Sequence, residues 1–140
     1  MLDSTIKIHS ALGPGLLETV YEVVLAKDLE RRGSGVERPR KVSFEFEGMV
    51  FVDAFRIDIL VEGLVAVELK SVEQIAPVHC KQLLTHLRLM NLSVGLLINF
   101  GGATLKVGVK RIVNNHSISP SATPRLRVNQ KESFRREAEE

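Results

Sequence analysis

Four ionisable side chains crowd one short pattern in this sequence. Residues 55–61 read Phe-Arg-Ile-Asp-Ile-Leu-Val, Glu62-Gly63 follows as a turn, and residues 64–71 read Leu-Val-Ala-Val-Glu-Leu-Lys-Ser. β-branched residues dominate both runs, which is the signature of two strands joined by a tight connection. Side chains alternate along a strand, so Ile57, Ile59 and Val61 share one face while Arg56, Asp58 and Leu60 share the other. In the second run Val65, Val67 and Leu69 share a face, opposite Ala66, Glu68 and Lys70. Pairing the apolar sets fixes the register, because a slip of one residue would bury the charges. Asp58 then opposes Glu68, with Arg56 and Lys70 beside them. Two readings are open at this point. The charges form a solvated ladder of cross-strand ion pairs, or they are kept together because they hold a ligand. The strongly apolar segments that follow predict a hairpin that is central and covered. Charges on a covered sheet face are costly unless they bind something.

The elements that position this patch can be read from periodicity. Ile6, His9 and Leu12 predict a short helix over residues 4–12, broken by Gly13-Pro14-Gly15. Leu17, Val20, Tyr21, Val24, Leu25 and Leu29 recur at three- and four-residue steps and predict a longer helix over 16–32, stopped by Gly33. Residues 36–47 and 49–52 read as a hairpin around Glu47-Gly48. Pro77 suits the first turn of a helix, and Val78, Leu83, Leu84, Leu87 and Met90 give its apolar stripe. Residues 93–100 form an apolar run fit for a strand buried on both faces. Leu105, Val107 and Val109 predict a last strand reaching Val113. A strand–helix–strand crossover makes the strands at 65–71 and 93–100 parallel. The predicted fold is α/β, a mixed central β-sheet flanked by helices. From Asn114 onward the pattern dissolves, so residues 1–114 are expected to form the domain and 115–140 a flexible C-terminal tail.

Composition sets wide bounds. The chain has 140 residues, a formal net charge of +2 and 44% hydrophobic residues, as expected for one globular domain. Charge alone neither demands nor excludes a nucleic-acid partner. The single cysteine, Cys80, excludes a disulfide framework and a multi-thiolate zinc site. No apolar run approaches the roughly 20 residues needed to span a bilayer. The N-terminus runs directly into an amphipathic pattern rather than a signal peptide, so the cytoplasm is the expected compartment.

Taken in order, several stretches resemble a known family. They are Leu-Gly-Pro-Gly-Leu-Leu-Glu at 12–18 with Tyr21-Glu22, and Phe55-Arg56-Ile57-Asp58. Val67-Glu68-Leu69-Lys70, Pro77-Val78-His79 with Gln82-Leu83-Leu84, Gly95 to Gly101 and Lys110 to Asn114 follow. The chain is similar to the PD-(D/E)XK nuclease superfamily and, within it, to the small GxxExxR proteins, over about residues 4–114. The GxxExxR signature has one departure, because Tyr21 stands where it asks for arginine. The resemblance implies a restriction-endonuclease-like core and Mg²⁺- or Mn²⁺-dependent hydrolysis of nucleic-acid phosphodiesters, with DNA favoured over RNA. Asp58 and Glu68 would be metal ligands, joined by the Leu69 carbonyl and by Glu18, since Mg²⁺ takes hard oxygen donors. Lys70 would orient the attacking water or stabilise the transition state. Gln82 would point from its helix toward the same site. Arg56 and Tyr21 would bind substrate, Tyr21 through a neutral hydrogen bond only.

A second class of function stays open, a catalytically inactive module that binds nucleic acid or protein on the same fold. A homodimer is a third expectation. Other chemistry-bearing residues are assigned structural roles. His79 and His86 lie two turns apart on one helix, about 10 Å, too far to share an ion unaided. They read as solvated or packed histidines, and Cys80 as a core residue. Gly13-Pro14-Gly15 reads as a turn that aims Glu18. Lys106, Lys110 and Arg111 are candidates for a basic rim.

Overall fold

In the computed structural model, residues 1–104 and 108–115 are described, together with the backbone of 126–127. Two helices come first, α1 (Leu2–Leu12) and α2 (Glu18–Arg31). A short strand β1 (Val36–Glu37) leads into a hairpin of β2 (Arg40–Phe46) and β3 (Met49–Ile57). Then come β4 (Ile59–Val61), β5 (Val65–Lys70), α3 (Pro77–Met90), β6 (Val94–Asn99), β7 (Val109–Val113) and β8 (Leu126–Arg127). The main sheet has five strands in the order β1-β4-β5-β6-β7, and β3-β2-β8 form a second, three-stranded sheet. β5 and β6 are parallel and all other pairs in the main sheet are antiparallel. The mixed sheet flanked by helices is the architecture expected from the periodicity. Leu105, Lys106 and Val107 lie outside the described residues. So does most of the expected tail, of which Leu126–Arg127 pairs with β2.

Both faces of the main sheet are covered, which explains the near-continuous apolar runs of β4 and β6. On one face Ile59, Val61, Val67, Leu69 and Ile98 pack against Ile8 of α1 and Tyr21, Leu25 and Leu29 of α2. On the other, Leu60, Ala66 and Leu97 pack against Leu83, Leu87 and Met90 of α3, with Val42 and Ile57. α3 comes close at Gly95, where an added Cβ would lie 3.2 Å from Leu83 and Leu87 methyl carbons.

The hairpin register is the predicted one: Ile59 opposes Val67, Leu60 opposes Ala66 and Val61 opposes Val65. Its first strand is not continuous, however. β3 ends at Ile57 and β4 begins at Ile59, leaving Asp58 in a bend. Ile57 consequently joins the α3-side core with Leu60, not the face of Ile59 and Val61 as strict alternation predicts. β3 turns away to pair with β2, so the alternation is interrupted where the chain passes between sheets.

α1 also differs from its predicted stripe. Ser4, Thr5 and Ile8 are its buried residues, whereas Ile6 and Leu12 are exposed. Lys7 forms an ion pair with Asp28 at 2.9 Å, which ties α1 to α2 and, as the leading cause, holds the Asp28 carboxyl well below its ordinary range.

The connection leaving β5 is fixed by one buried side chain. Asn99 Nδ2 donates to the Val72 carbonyl at 2.8 Å, and its Oδ1 accepts from the Val72 and Gly101 amides, both at 3.0 Å. Gly101 is pressed against that segment. A Cβ there would fall 2.6 Å from the Val72 nitrogen and closer still to the Val72 carbonyl oxygen. Gly101→Ala is therefore expected to destabilise the protein by about 2 kcal/mol or more, because backbone on both sides must move. Urea denaturation of the purified variant measures it.

Candidate active site

Asp58 owes its position to the break between β3 and β4. Carrying the register outward opposes Leu69 to Ile57, yet the Leu69 amide donates to Asp58 Oδ2, at 2.8 Å. The carboxylate thus takes the place of a backbone acceptor where the ladder ends. The ladder to β6 continues through Lys70, whose carbonyl accepts from the Phe100 amide at 2.8 Å. Peptide groups alternate sides along a strand, so the Leu69 carbonyl lies along the same edge as Asp58.

α2 and α3 close on this break from opposite faces. From α2, Glu22 is buried to 4% side-chain exposure and accepts from Arg56 at 2.9 Å, with Arg38 at 3.5 Å. The same Arg56 nitrogen lies 3.3 Å from Asp58 Oδ1. Desolvation works against the Arg56 charge, but Glu22 and Asp58 outweigh it and push its pKa above the ordinary value. From α3, His86 Nδ1 faces Glu68 Oε1 at 3.8 Å, beyond hydrogen-bonding reach. The imidazole stacks on Phe55 with centroids 4.2 Å apart and planes 7° apart.

Asp58 and Glu68 are both largely removed from water, at 15% and 13% side-chain exposure. Burial pushes the Glu68 carboxyl above its ordinary value, and the Asp58 charge adds to that, while His86 and Lys70 pull the other way. Glu68 Oε1 has no hydrogen-bond partner among the described residues. Lys70, half-buried and next along the strand face, forms no ion pair among them. Two largely buried carboxylates and a peptide carbonyl on the same strand edge offer only oxygen donors, the chemistry that suits a hard divalent cation.

Other sequence-predicted residues lie elsewhere. Tyr21 does not reach substrate. It has no exposed surface, stacks on Phe100 at 4.3 Å, donates its hydroxyl to the Gly13 carbonyl and accepts from the Leu16 amide at 3.2 Å. It therefore locks the turn before α2. Glu18 accepts from the Ser71 amide at 3.2 Å, tying the start of α2 to the end of β5. Among the described residues no three His, Cys, Asp or Glu side chains are arranged to hold a metal, so Glu18 does not join Asp58 and Glu68 as a third carboxylate. Gln82 is exposed on α3, one turn before His86 on the same helix face. His79 accepts from the Ala76 amide at 3.1 Å and caps α3.

Two residues near Asp58 and Glu68 have no site role in the sequence reading, Glu22 and His86, and His86 is packed against Phe55, one of the two structural roles given to it. Glu22 falls within the apolar stripe of α2, and an acid at a core position is a signal for a buried partner. His86 lies four residues after Gln82, so a helix that aims one at the sheet aims the other.

The family model of the PD-(D/E)XK nuclease superfamily matches residues 1–112 of the 140-residue chain, and the chain belongs to that superfamily. The five-stranded mixed sheet with flanking helices agrees with its fold. No curated protein and no solved structure gives a significant match. No helix of the described residues is long and apolar enough to cross a membrane.

Two stability predictions follow from the burial of these acids. Glu68 binds its proton more tightly folded than unfolded, so its ionisation lowers stability as pH rises from 4.5 through the raised value. Without divalent metal, Glu68→Gln should raise Tm at pH 8 and leave it nearly unchanged at pH 4, as read by calorimetry. Arg56→Ala removes the nearer of two cations from the buried Glu22 carboxylate, leaving Arg38 at 3.5 Å, and should cost about 1–2 kcal/mol, reduced from the fully buried case because Arg56 is 53% exposed and Arg38 remains. In a Glu22→Gln background that cost should largely vanish, which a double-mutant cycle tests.

Proposed function

We propose that this chain is a divalent-metal-dependent nuclease that hydrolyses phosphodiesters of nucleic acid, DNA before RNA. The observation that carries the reading is the pairing of Asp58 with Glu68 at the strand break, with Lys70 on the same strand face. Asp58, Glu68 and the Leu69 carbonyl would hold Mg²⁺ or Mn²⁺, leaving its other positions to water and substrate. When bound, the ion lowers the pKa of water and offsets charge on the phosphate.

The chain's own residues do the rest. The Leu69 amide fixes one oxygen of Asp58, so the carboxylate is oriented before substrate arrives. Lys70 presents an ammonium beside the carboxylates and stabilises the charge that grows on phosphate oxygens in the transition state. Arg56 is anchored by Glu22 yet half open to solvent, which suits it to contact a neighbouring phosphate of the strand. Gln82, one helical turn before His86 on α3, would offer the site a neutral hydrogen-bonding group. Tyr21 has no part in the chemistry.

Within the superfamily, the ordered stretches from Gly15 to Asn114 support grouping with the GxxExxR proteins. The departure at Tyr21 has a structural cause, since the pocket under Phe100 is shaped for a stacked phenol. That removes one motive for reading the chain as a binder without turnover.

The test is cleavage of plasmid and single-stranded DNA with Mg²⁺ or Mn²⁺. Chelation should abolish cutting. Asp58→Asn and Lys70→Met should each slow it by about 10²-fold or more. Cutting that survives the two substitutions together would contradict the assignment.

A further inference from the structure

We propose that His86 is a positioning residue for Glu68: its Nδ1–H donates to Glu68 Oε1 and turns the other carboxylate oxygen toward the divalent ion. The inference rests on the metal reading above and extends it to a residue outside the acid–lysine set.

Three observations carry it. First, His86 Nδ1 and Glu68 Oε1 face each other at 3.8 Å, and both atoms are buried without a hydrogen-bond partner among the described residues. Buried polar atoms are seldom left that way, and here one donor and one acceptor would satisfy each other. Second, the imidazole is the fixed member of the pair. It is stacked face to face on Phe55, which opposes Val42 in the β2–β3 ladder. The carboxylate is the member that turns, because the terminal torsion of a glutamate is broad and soft. Closing the gap to an ordinary N–H···O length takes a shift of about 0.9 Å. Third, Glu68 feels opposed charges, repelled by Asp58 and attracted by Lys70. A carboxylate under such opposed forces needs an anchor to present one oxygen consistently.

Carboxylates that ligate metals are themselves hydrogen-bonded, and loss of such an outer partner typically costs about 10–100-fold in metal affinity. The role requires a donor at the Nδ1 position and no change in the charge of His86. His86 does not touch substrate in this scheme.

The experiment is Mn²⁺ titration of the full chain, read by electron paramagnetic resonance, with circular dichroism as the check on folding. The variants are His86→Asn, which keeps a donor near Nδ1, His86→Gln, which moves it toward Nε2, and His86→Leu, which has none. Asp58→Asn defines loss of the site. The expected result is His86→Asn close to the native protein, with His86→Gln and His86→Leu weaker by about 10–100-fold. A residue needed only for packing would instead rank the variants by volume and apolarity, with leucine best, and that order overturns the proposal. Equal affinity in all three His86 variants also overturns it, while Asp58-dependent binding by the native protein leaves the metal reading standing. Mn²⁺ binding that Asp58→Asn does not change overturns the metal reading and the His86 role with it. Should His86→Leu fail to fold, the comparison of asparagine with glutamine decides, and equal affinities there overturn the proposal.

Discussion

The hydrogen bond from the Leu69 amide to the Asp58 carboxylate is the contact on which the site depends. It terminates one ladder, lets β3 leave for a second sheet, and holds an acid where a backbone carbonyl would otherwise lie. Glu68, on β5, lies close enough for the Asp58 charge to act on it, with apolar layers above and below the sheet. In that setting burial pushes the Glu68 carboxyl above its ordinary value, and the Asp58 charge adds to the push. Carboxylates perturbed in this way cluster at functional sites.

The rest of the molecule keeps that arrangement in place. Glu22 reaches from α2 to hold Arg56 against Asp58, and α3 brings His86 against Glu68. Asn99, buried next to the exit of β5, fixes the Val72 segment through two hydrogen bonds and accepts a third from the Gly101 amide, and Gly101 lets the two loops meet backbone to backbone. Tyr21 and Glu18 set the start of α2, the first through the Gly13–Leu16 turn and the second through Ser71. Tyr21 resembles a functional residue in type, yet it has no exposed surface and its hydroxyl is engaged on both sides in holding the turn.

Much of this was legible in the sequence. Alternation over residues 59–61 and 65–67 gave the observed register of β4 against β5. Pro77 and the apolar stripe after it gave α3, and the crossover rule gave the parallel pairing of β5 with β6. What was not legible depends on tertiary contact. Nothing local marks Asp58 as a bend, because the break comes from β3 pairing with β2 rather than from a turn residue. The stripe of α1 was misplaced since Ser4 and Thr5, small polar residues, are buried under α2, while Ile6 faces out. Tyr21 was assigned to substrate from a signature position, but its ring partner Phe100 is far away in sequence and invisible to periodicity. Glu22 and His86 were passed over for the same reason: their partners lie on β3 and β5, not on their own helices.

The most direct measurement is anomalous scattering from crystals soaked in Mn²⁺. The account predicts one strong peak at the β3–β4 break, within coordination distance of a carboxylate oxygen from Asp58, one from Glu68, and the Leu69 carbonyl. Mn²⁺ bound only elsewhere on the protein, or Asp58 and Glu68 carboxyl groups directed to opposite sides of the sheet, would contradict it.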